Sequence, residues 1–148
     1  SFRVALEGDA MDCEGFLGVI DNYGMTPSAD LAKAYAGICY YHLGEYEEAV
    51  NYLKKVNVND VNFAPAVKQL LGDAYVAMEN YNDAVKAYKK AVEMDNEMIS
   101  PMSLRKLGHV YEHQGETDKA IETYQQLKDN YPASAEAMEA EKELARLQ

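Results

Sequence analysis

The stretch LLGDAYVAMENYNDAVKAYKKA, residues 70–91, predicts two helices joined by a short polar break at 78–80. Gly72 is followed three residues later by Tyr75, twelve residues later by Ala84 and sixteen residues later by Tyr88. Glycine inside a helix costs about 1 kcal/mol relative to alanine, so its presence predicts a close approach between the two helices. We therefore expect Gly72 to face Ala84, with Tyr75 beside that contact on the same helical face.

The same pattern occurs three times in the chain. Its glycines, Gly37, Gly72 and Gly108, are 35 and 36 residues apart. Each is followed at fixed distances by an alanine, a large residue and a smaller apolar one: Ala49, Leu53 and Val56; Ala84, Tyr88 and Ala91; Ala120, Tyr124 and Leu127. A repeat of this length predicts stacked supersecondary units.

These residues resemble the tetratricopeptide repeat signature, and the resemblance covers residues 30–134. It implies an all-α fold, an α-α superhelix (a TPR solenoid) of antiparallel helix pairs with a C-terminal capping helix. We expect helices near 11–22, 28–43, 46–56, 64–79, 81–95, 100–114, 117–130 and 133–147, and no sheet.

The ends of the chain depart from the signature. Counting back from the first repeat gives Gly15 and Val19, which predicts a degenerate or truncated repeat at 1–27, its first helix reduced to 2–7 or lying upstream. Three repeats follow at 28–63, 64–99 and 100–132, and a capping helix at 133–148. There Glu141 and Lys142 replace the expected Leu-Gly, as suits a face that meets water.

Turn residues mark the joints between the predicted helices. Gly44 and Gly115 are expected to end first helices in the left-handed region. Pro65 and Pro101 stand where the first turn of a helix tolerates proline.

The composition narrows the class of partner. The 148 residues include 25 acidic and 14 basic ones, for a net charge of −11. Nucleic acids and anionic membrane surfaces both require clusters of Lys and Arg, so both are poor candidates. We expect a protein or peptide partner.

Cys13 and Cys39 are too few to form a disulfide framework. Cys39 lies in an apolar run and is expected to be a buried thiol. A Cys13–Cys39 bridge in an oxidising compartment is the alternative.

Candidates for chemistry are few. His109 and His113 share one helical face, and we expect them to have a structural or partner-contacting role. Metal chelation is the alternative, but the Glu of the zincin pattern is absent from its position. Nucleotide-binding and nucleophile-elbow motifs are missing, and the acidic runs at 45–48 and 139–143 read as solvated faces. We expect no enzyme activity, no cofactor and no metal.

The family resemblance implies that the first helix of each repeat lines a concave groove. The groove residues that this resemblance implies are Tyr35, Ile38, Tyr41, His42, Gln69, Asp73, Met102, Arg105, Lys106, His109 and His113. The same transfer also places Ala66, Leu70 and Val76 there. We expect Tyr35, Tyr41 and His42 to offer aromatic anchoring area, and Arg105 and Lys106 to pair with carboxylates of a partner. Tyr35, Ile38 and Leu70 could instead be partly covered by neighbouring helices.

One binding mode of the family is not expected. The positions that bind an acidic chaperone tail in some members hold Ala34, Ile38, Leu70, Met102 and Lys106 here, and only the last is basic.

The run LAKAYAGICYY at 31–41, together with Ile99-Ser100-Pro101, resembles small tetratricopeptide proteins of Bacteroidetes. That resemblance implies an N-terminal membrane helix outside this sequence and a place in the bacterial cell envelope, periplasmic or membrane-anchored. The alternative function is homo-oligomeric assembly through the N-terminal unit, by Phe16, Leu17, Val19 and Ile20.

Overall fold

The computed structural model describes residues 1–8 and 15–148, which contain nine α-helices and no β-strand. The helices, in chain order, are α1 (Phe2–Glu7), α2 (Phe16–Tyr23), α3 (Pro27–His42), α4 (Tyr46–Lys54), α5 (Ala64–Ala77), α6 (Tyr81–Glu93), α7 (Ile99–His113), α8 (Thr117–Asn130) and α9 (Ala135–Leu147). A short 3-10 turn, Val58–Asp60, connects α4 to α5.

The predicted helices from α3 onward agree with the structure to within two residues at each end. The first predicted helix begins at Phe16 in the described ranges, and positions 11–14 lie outside them. The alternative Cys13–Cys39 bridge lies outside them for the same reason. Cys39 is a buried free thiol, and burial raises its pKa.

Polar caps define several helix ends. Thr26 begins α3 by accepting a hydrogen bond from the backbone N–H of Ala29 at 3.2 Å, and Ser134 begins α9 in the same way. Gly44 and Gly115 end α3 and α7 with φ of 76° and 74°, as predicted. The corresponding position after α5 is Glu79, which adopts φ 58° without the freedom of glycine.

The repeat glycines Gly72 and Gly108 do allow close packing of two helices, but the group that approaches each glycine is a tyrosine ring. A Cβ at Gly72 would clash with the ring of Tyr88, sixteen residues on, and one at Gly108 would clash with Tyr124. The prediction that Gly72 chiefly faces Ala84 was wrong, because the large side chain one turn further along α6 reaches into the space left by the missing Cβ. Ala84 is nevertheless fully buried in the same core.

Successive helices pack antiparallel along the chain. Each of α3 to α8 contacts the next, and α3 also touches α5, α5 touches α7, and α7 touches α9. The first helices of the pairs therefore form one face, α3–α5–α7, which we call the first-helix face. The second helices, α4, α6 and α8, lie behind it.

The ends of the solenoid are closed by shorter units. At the N-terminus α1 contacts both α2 and α3, and Leu6 is fully buried. At the C-terminus α9 packs on α8 and α7 through Ala137, Ala140 and Leu144, while Glu141 and Lys142 face solvent. Within the described ranges, none of the helices combines the length and apolar character that crossing a membrane would require.

Candidate protein-binding face

The predicted groove residues lie on α3, α5 and α7 with unequal exposure. Tyr35, His42, His109 and His113 are exposed, while Ile38, Tyr41, Asp73, Met102, Arg105 and Lys106 are half-buried. Gln69 is the exception. Its side chain is only 8% exposed and donates a hydrogen bond to the hydroxyl of Ser103 on α7, at 3.1 Å. Gln69 thus joins α5 to α7, but it also lines the cavity between α3 and α5, so its contact with a partner stays a prediction.

A first cavity opens between α3 and α5. It has a volume of about 220 Å³, and its walls are mainly apolar, including Ile38, Phe63, Ala66 and Leu70. Phe63 precedes α5 and was not among the predicted residues; its position in the loop between repeats gave no periodic signal. One wall of this cavity is Asp73.

A second cavity, of about 310 Å³, opens between α5 and α7 and shares Asp73 with the first. Val76 and Val110 contribute apolar walls, and Lys106, His109 and His113 are also among its lining residues. Tyr81, at the start of α6, closes one end, with its ring centroid 4.5 Å from that of His113.

The boundary between the two cavities is an ion pair. Lys106 Nζ donates to both carboxylate oxygens of Asp73, at 2.7 and 2.8 Å. The hydroxyl of Tyr88 donates to Asp73 as well, at 2.6 Å. Burial, together with the negative charge of Asp73 and the bond to it, raises the pKa of Tyr88 far above its ordinary value, so this hydroxyl remains a donor.

A similar arrangement links α7, α8 and α9. The hydroxyl of Tyr124 donates to Glu112 at 2.6 Å, and the guanidinium of Arg146 pairs with Glu112 and Glu143. Burial acts to raise the pKa of Glu112, but the hydrogen bonds from Tyr124 and Arg146 outweigh it and hold the pKa below its ordinary value. In both arrangements a tyrosine hydroxyl and a basic side chain bind the same carboxylate, that of Asp73 or of Glu112.

Both basic residues of the predicted groove are engaged within the chain. Lys106 pairs with Asp73, and Arg105 pairs with Glu139 on α9 at 2.9 Å. We expected these two cations to be available to the carboxylates of a partner, whereas in the structure they pair with carboxylates of this chain. Analysis of single repeats could not predict these pairs because both acceptors lie in other units, Asp73 on α5 and Glu139 on α9.

The N-terminal unit covers part of the aromatic end of the face. The ring of Phe2 stacks on His42 with centroids 4.8 Å apart, and Phe16 stacks on Tyr35 at 5.3 Å. Tyr35 also meets Phe63 at 5.8 Å. The aromatic end is thus partly occupied by α1 and α2, although Tyr35 remains 39% exposed.

The two histidines have different neighbours in the structure. His113 packs on Tyr81, whereas the ligand atoms of His109 lie within 4.8 Å of those of Glu112 and Glu143. Arg146 already neutralises those two carboxylates. A cation bound there would have to displace the guanidinium.

A larger cavity is lined mainly by residues of the second helices α6 and α8, opposite the first-helix face. Its volume is about 390 Å³, and charged residues of both signs, including Lys89, Glu93, Lys119 and Glu122, surround it. Val92 is one of its apolar wall residues. This cavity provides a matched control position for experiments on the first-helix face.

Comparison with known proteins agrees with the repeat. Two sequence models described as tetratricopeptide repeat match residues 70–135 and 35–59. The TPR repeat-containing protein MJ1428 of Methanocaldococcus jannaschii is 31% identical over 109 residues. The match covers 74% of this chain but 19% of that protein, so the chain spans about a fifth of this curated relative.

Solved structures share the architecture. The second TPR domain of human RPAP3, in complex with the HSP70 peptide SGPTIEEVD, superposes with a TM-score of 0.64 at 15% identity, covering 82% of this chain and 98% of that one. MamA superposes with a TM-score of 0.67 at 23% identity, covering 89% and 73%. The predicted all-α superhelix is thereby confirmed.

Proposed function

Because this chain belongs to the tetratricopeptide repeat family, we propose that it is a non-catalytic scaffold which holds a segment of another protein on its first-helix face. The family and the fold are typical of protein-binding scaffolds. The observation that carries the proposal is the pair of cavities on either side of Asp73, on the face that the sequence resemblance marked for binding. Pockets with apolar walls and a few fixed polar groups are the usual form of a binding site.

The acidic chaperone tail remains an unsuitable ligand for this chain. Four of the five clamp positions are Ala34, Ile38, Leu70 and Met102, whose side chains have no hydrogen-bond donor to offer a carboxylate. The fifth, Lys106, is held by Asp73. The peptide SGPTIEEVD, which is bound in the RPAP3 structure, therefore serves as a negative control here.

The alternative function, self-assembly through α2, relied on an exposed apolar face that the structure does not show. Phe16, Leu17 and Ile20 were expected to form an exposed face, but they pack against the core that α3 and α4 contribute to. These side chains are half-buried within one chain, and Val19 is too.

We further propose that this scaffold belongs to the bacterial cell envelope and is membrane-anchored, as the resemblance implies. The support is the sequence resemblance of residues 31–41 and 99–101 alone. Fractionation of cells that express the full gene tests it: recovery with membranes agrees with the proposal, and recovery in the cytosol contradicts it.

Peptide selection tests the binding function. A random-peptide phage library is panned on the folded protein, and the enriched peptides are re-measured on two variants, Val76→Trp and Val92→Trp. The first fills the cavity between α5 and α7, and the second fills the cavity on the opposite side. Enriched peptides should lose binding to Val76→Trp alone. Peptides that bind both variants equally, or a panning without enrichment, would contradict the proposal.

A further inference from the structure

The two cavities on the first-helix face are each large enough for a side chain. Their volumes are about 220 and 310 Å³, whereas one water needs about 10–15 Å³ of such space. Their walls include Ile38 and Leu70 in the first and Val76 and Val110 in the second. Burying an aliphatic side chain in either would remove apolar surface from water on both partners.

The spacing of the cavities follows from the helices. One opens between α3 and α5 and the other between α5 and α7, and neighbouring helices pack about 8–10 Å apart. In a β-strand, neighbouring side chains on one face, at positions i and i+2, are about 6.6 Å apart. That distance is shorter than the separation between neighbouring helices, so a β-strand does not match the two cavities. In a polyproline II segment, positions i and i+3 lie on the same face about 9 Å apart, which matches.

The charges favour a basic segment. Lys106 and Arg105, the cations among the predicted groove residues, are neutralised by Asp73 and Glu139. The chain as a whole carries a net charge of −11. Because these two cations are already paired, an acidic partner segment would be repelled by the net negative charge of the protein and would gain no compensating ion pair from them. A segment with positively charged flanks would be attracted.

We infer that the face takes an extended, polyproline II-like protein segment with two large apolar side chains three residues apart, flanked by Lys or Arg. One apolar side chain enters each cavity, and the backbone crosses the Asp73–Lys106 pair. This inference rests on the proposed function, because it names the class of partner that the same face holds.

Synthetic peptides test the spacing. A fluorescent peptide Lys-Lys-Gly-Leu-Pro-Pro-Leu-Gly-Lys-Lys should bind by fluorescence anisotropy. Replacing either Leu by Gly should weaken binding by about tenfold or more, the value of one buried aliphatic side chain. Peptides with one or three prolines between the leucines should bind as weakly as the Leu→Gly peptides.

Two further peptides test the conformation and the charge. The first is a Lys- and Ala-rich helical peptide with leucines seven apart, whose two helical turns span about 11 Å. The second keeps the Leu-Pro-Pro-Leu centre but has Glu flanks. Both should bind at least about tenfold more weakly than the parent peptide, the second because like charges oppose its approach. Tighter or equal binding of either would overturn the inference.

Protein variants assign each leucine to its cavity. Ala66→Trp is designed to fill the first cavity and Val76→Trp the second, and circular dichroism is used to check that each variant folds. Should Ala66→Trp misfold, Ala66→Leu replaces it. In each filled variant, replacing one leucine should cause no further loss, while replacing the other still weakens binding about tenfold. Equal loss from both leucines in both variants would overturn the two-cavity assignment.

The failure of this inference can be told from the failure of the proposed function. If phage-selected peptides lose binding to Val76→Trp but show another spacing, helical character or acidic flanks, only the partner class is wrong. If no peptide depends on Val76, the binding face itself is wrong. Equal effects of Val76→Trp and the matched Val92→Trp also exclude the face.

Discussion

Lys106 on α7 holds both carboxylate oxygens of Asp73 on α5, at 2.7 and 2.8 Å, in the middle of the face that we assign to binding. The pair is flanked by one apolar cavity on each side. It also ties two successive repeats together, so it contributes to the stability of the solenoid as well as to the shape of the site.

Breaking this pair should destabilise the protein. In Asp73→Asn, Lys106 loses a partly buried ionic partner, and we expect a loss of about 1.5–3 kcal/mol in the free energy of unfolding, the usual range for hydrogen bonds to charged groups. Urea denaturation measures it, with the exposed Lys142→Met as the control, which should change little. A Lys106→Met and Asp73→Asn cycle that shows no coupling energy would contradict the pair's role.

Replacing a repeat glycine tests the contact with the tyrosine ring. Gly72→Ala should gain about 1 kcal/mol from helix propensity alone, but its new Cβ would clash with Tyr88. Overpacking in a core typically costs about 1–3 kcal/mol, so we expect a net loss of stability in thermal or urea unfolding. A stabilised Gly72→Ala variant would show that the ring of Tyr88 moves away freely.

The left-handed residue after α5 offers a stabilising change. Glu79 has φ 58°, where a residue with a side chain costs about 1–2 kcal/mol. Glu79→Gly should therefore raise the free energy of unfolding by about 1 kcal/mol. Part of this gain is offset because glycine makes the unfolded chain more flexible and loses more conformational entropy on folding. Gly115→Ala, the reverse change at the matching position with φ 74°, should lower it. Effects of the same sign in both variants would refute this explanation.

Glu112 makes stability depend on pH in a defined direction. Its pKa in the folded protein lies below its ordinary value, which is about 4.3. Its contribution is thus fully present above that pH and is lost as the pH falls through the folded pKa. The stability difference between the native protein and Glu112→Gln should be constant from pH 7 to 5 and shrink toward pH 3, as measured by urea unfolding. A difference that grows on acidification would mean that the pKa is raised.

The repeat itself could be predicted from sequence because its signals are local. The glycines, alanines and turn residues recur at fixed spacings, and their consequences, such as the left-handed ends at Gly44 and Gly115, follow from single-residue geometry. The contact of Gly72 was harder to predict, since the choice between Ala84 and Tyr88 depends on how the two helices are rotated against each other.

Which side chains of the first-helix face are free for a partner could not be predicted from sequence, because it depends on contacts between repeats. Gln69 had to be placed against Ser103, and Lys106 against Asp73, before either could be recognised as engaged within the chain. The stacking of Phe16 on Tyr35 depended on how a degenerate first unit docks. Patterns within one repeat carry no information about such neighbours. The division into units at 1–27, 28–63, 64–99, 100–132 and 133–148 stays a prediction.

Chemical-shift mapping tests the central claim most directly. Titrating the ¹⁵N-labelled protein with the basic Leu-Pro-Pro-Leu peptide, or with a phage-selected binder, should shift the backbone amide signals of Val76, Lys106 and His109 on the first-helix face. The amides of Val92 and Thr123 at the opposite cavity should stay in place, and SGPTIEEVD should shift neither set. Saturable shifts confined to Val92 and Thr123 would contradict the assignment of the first-helix face as the binding site.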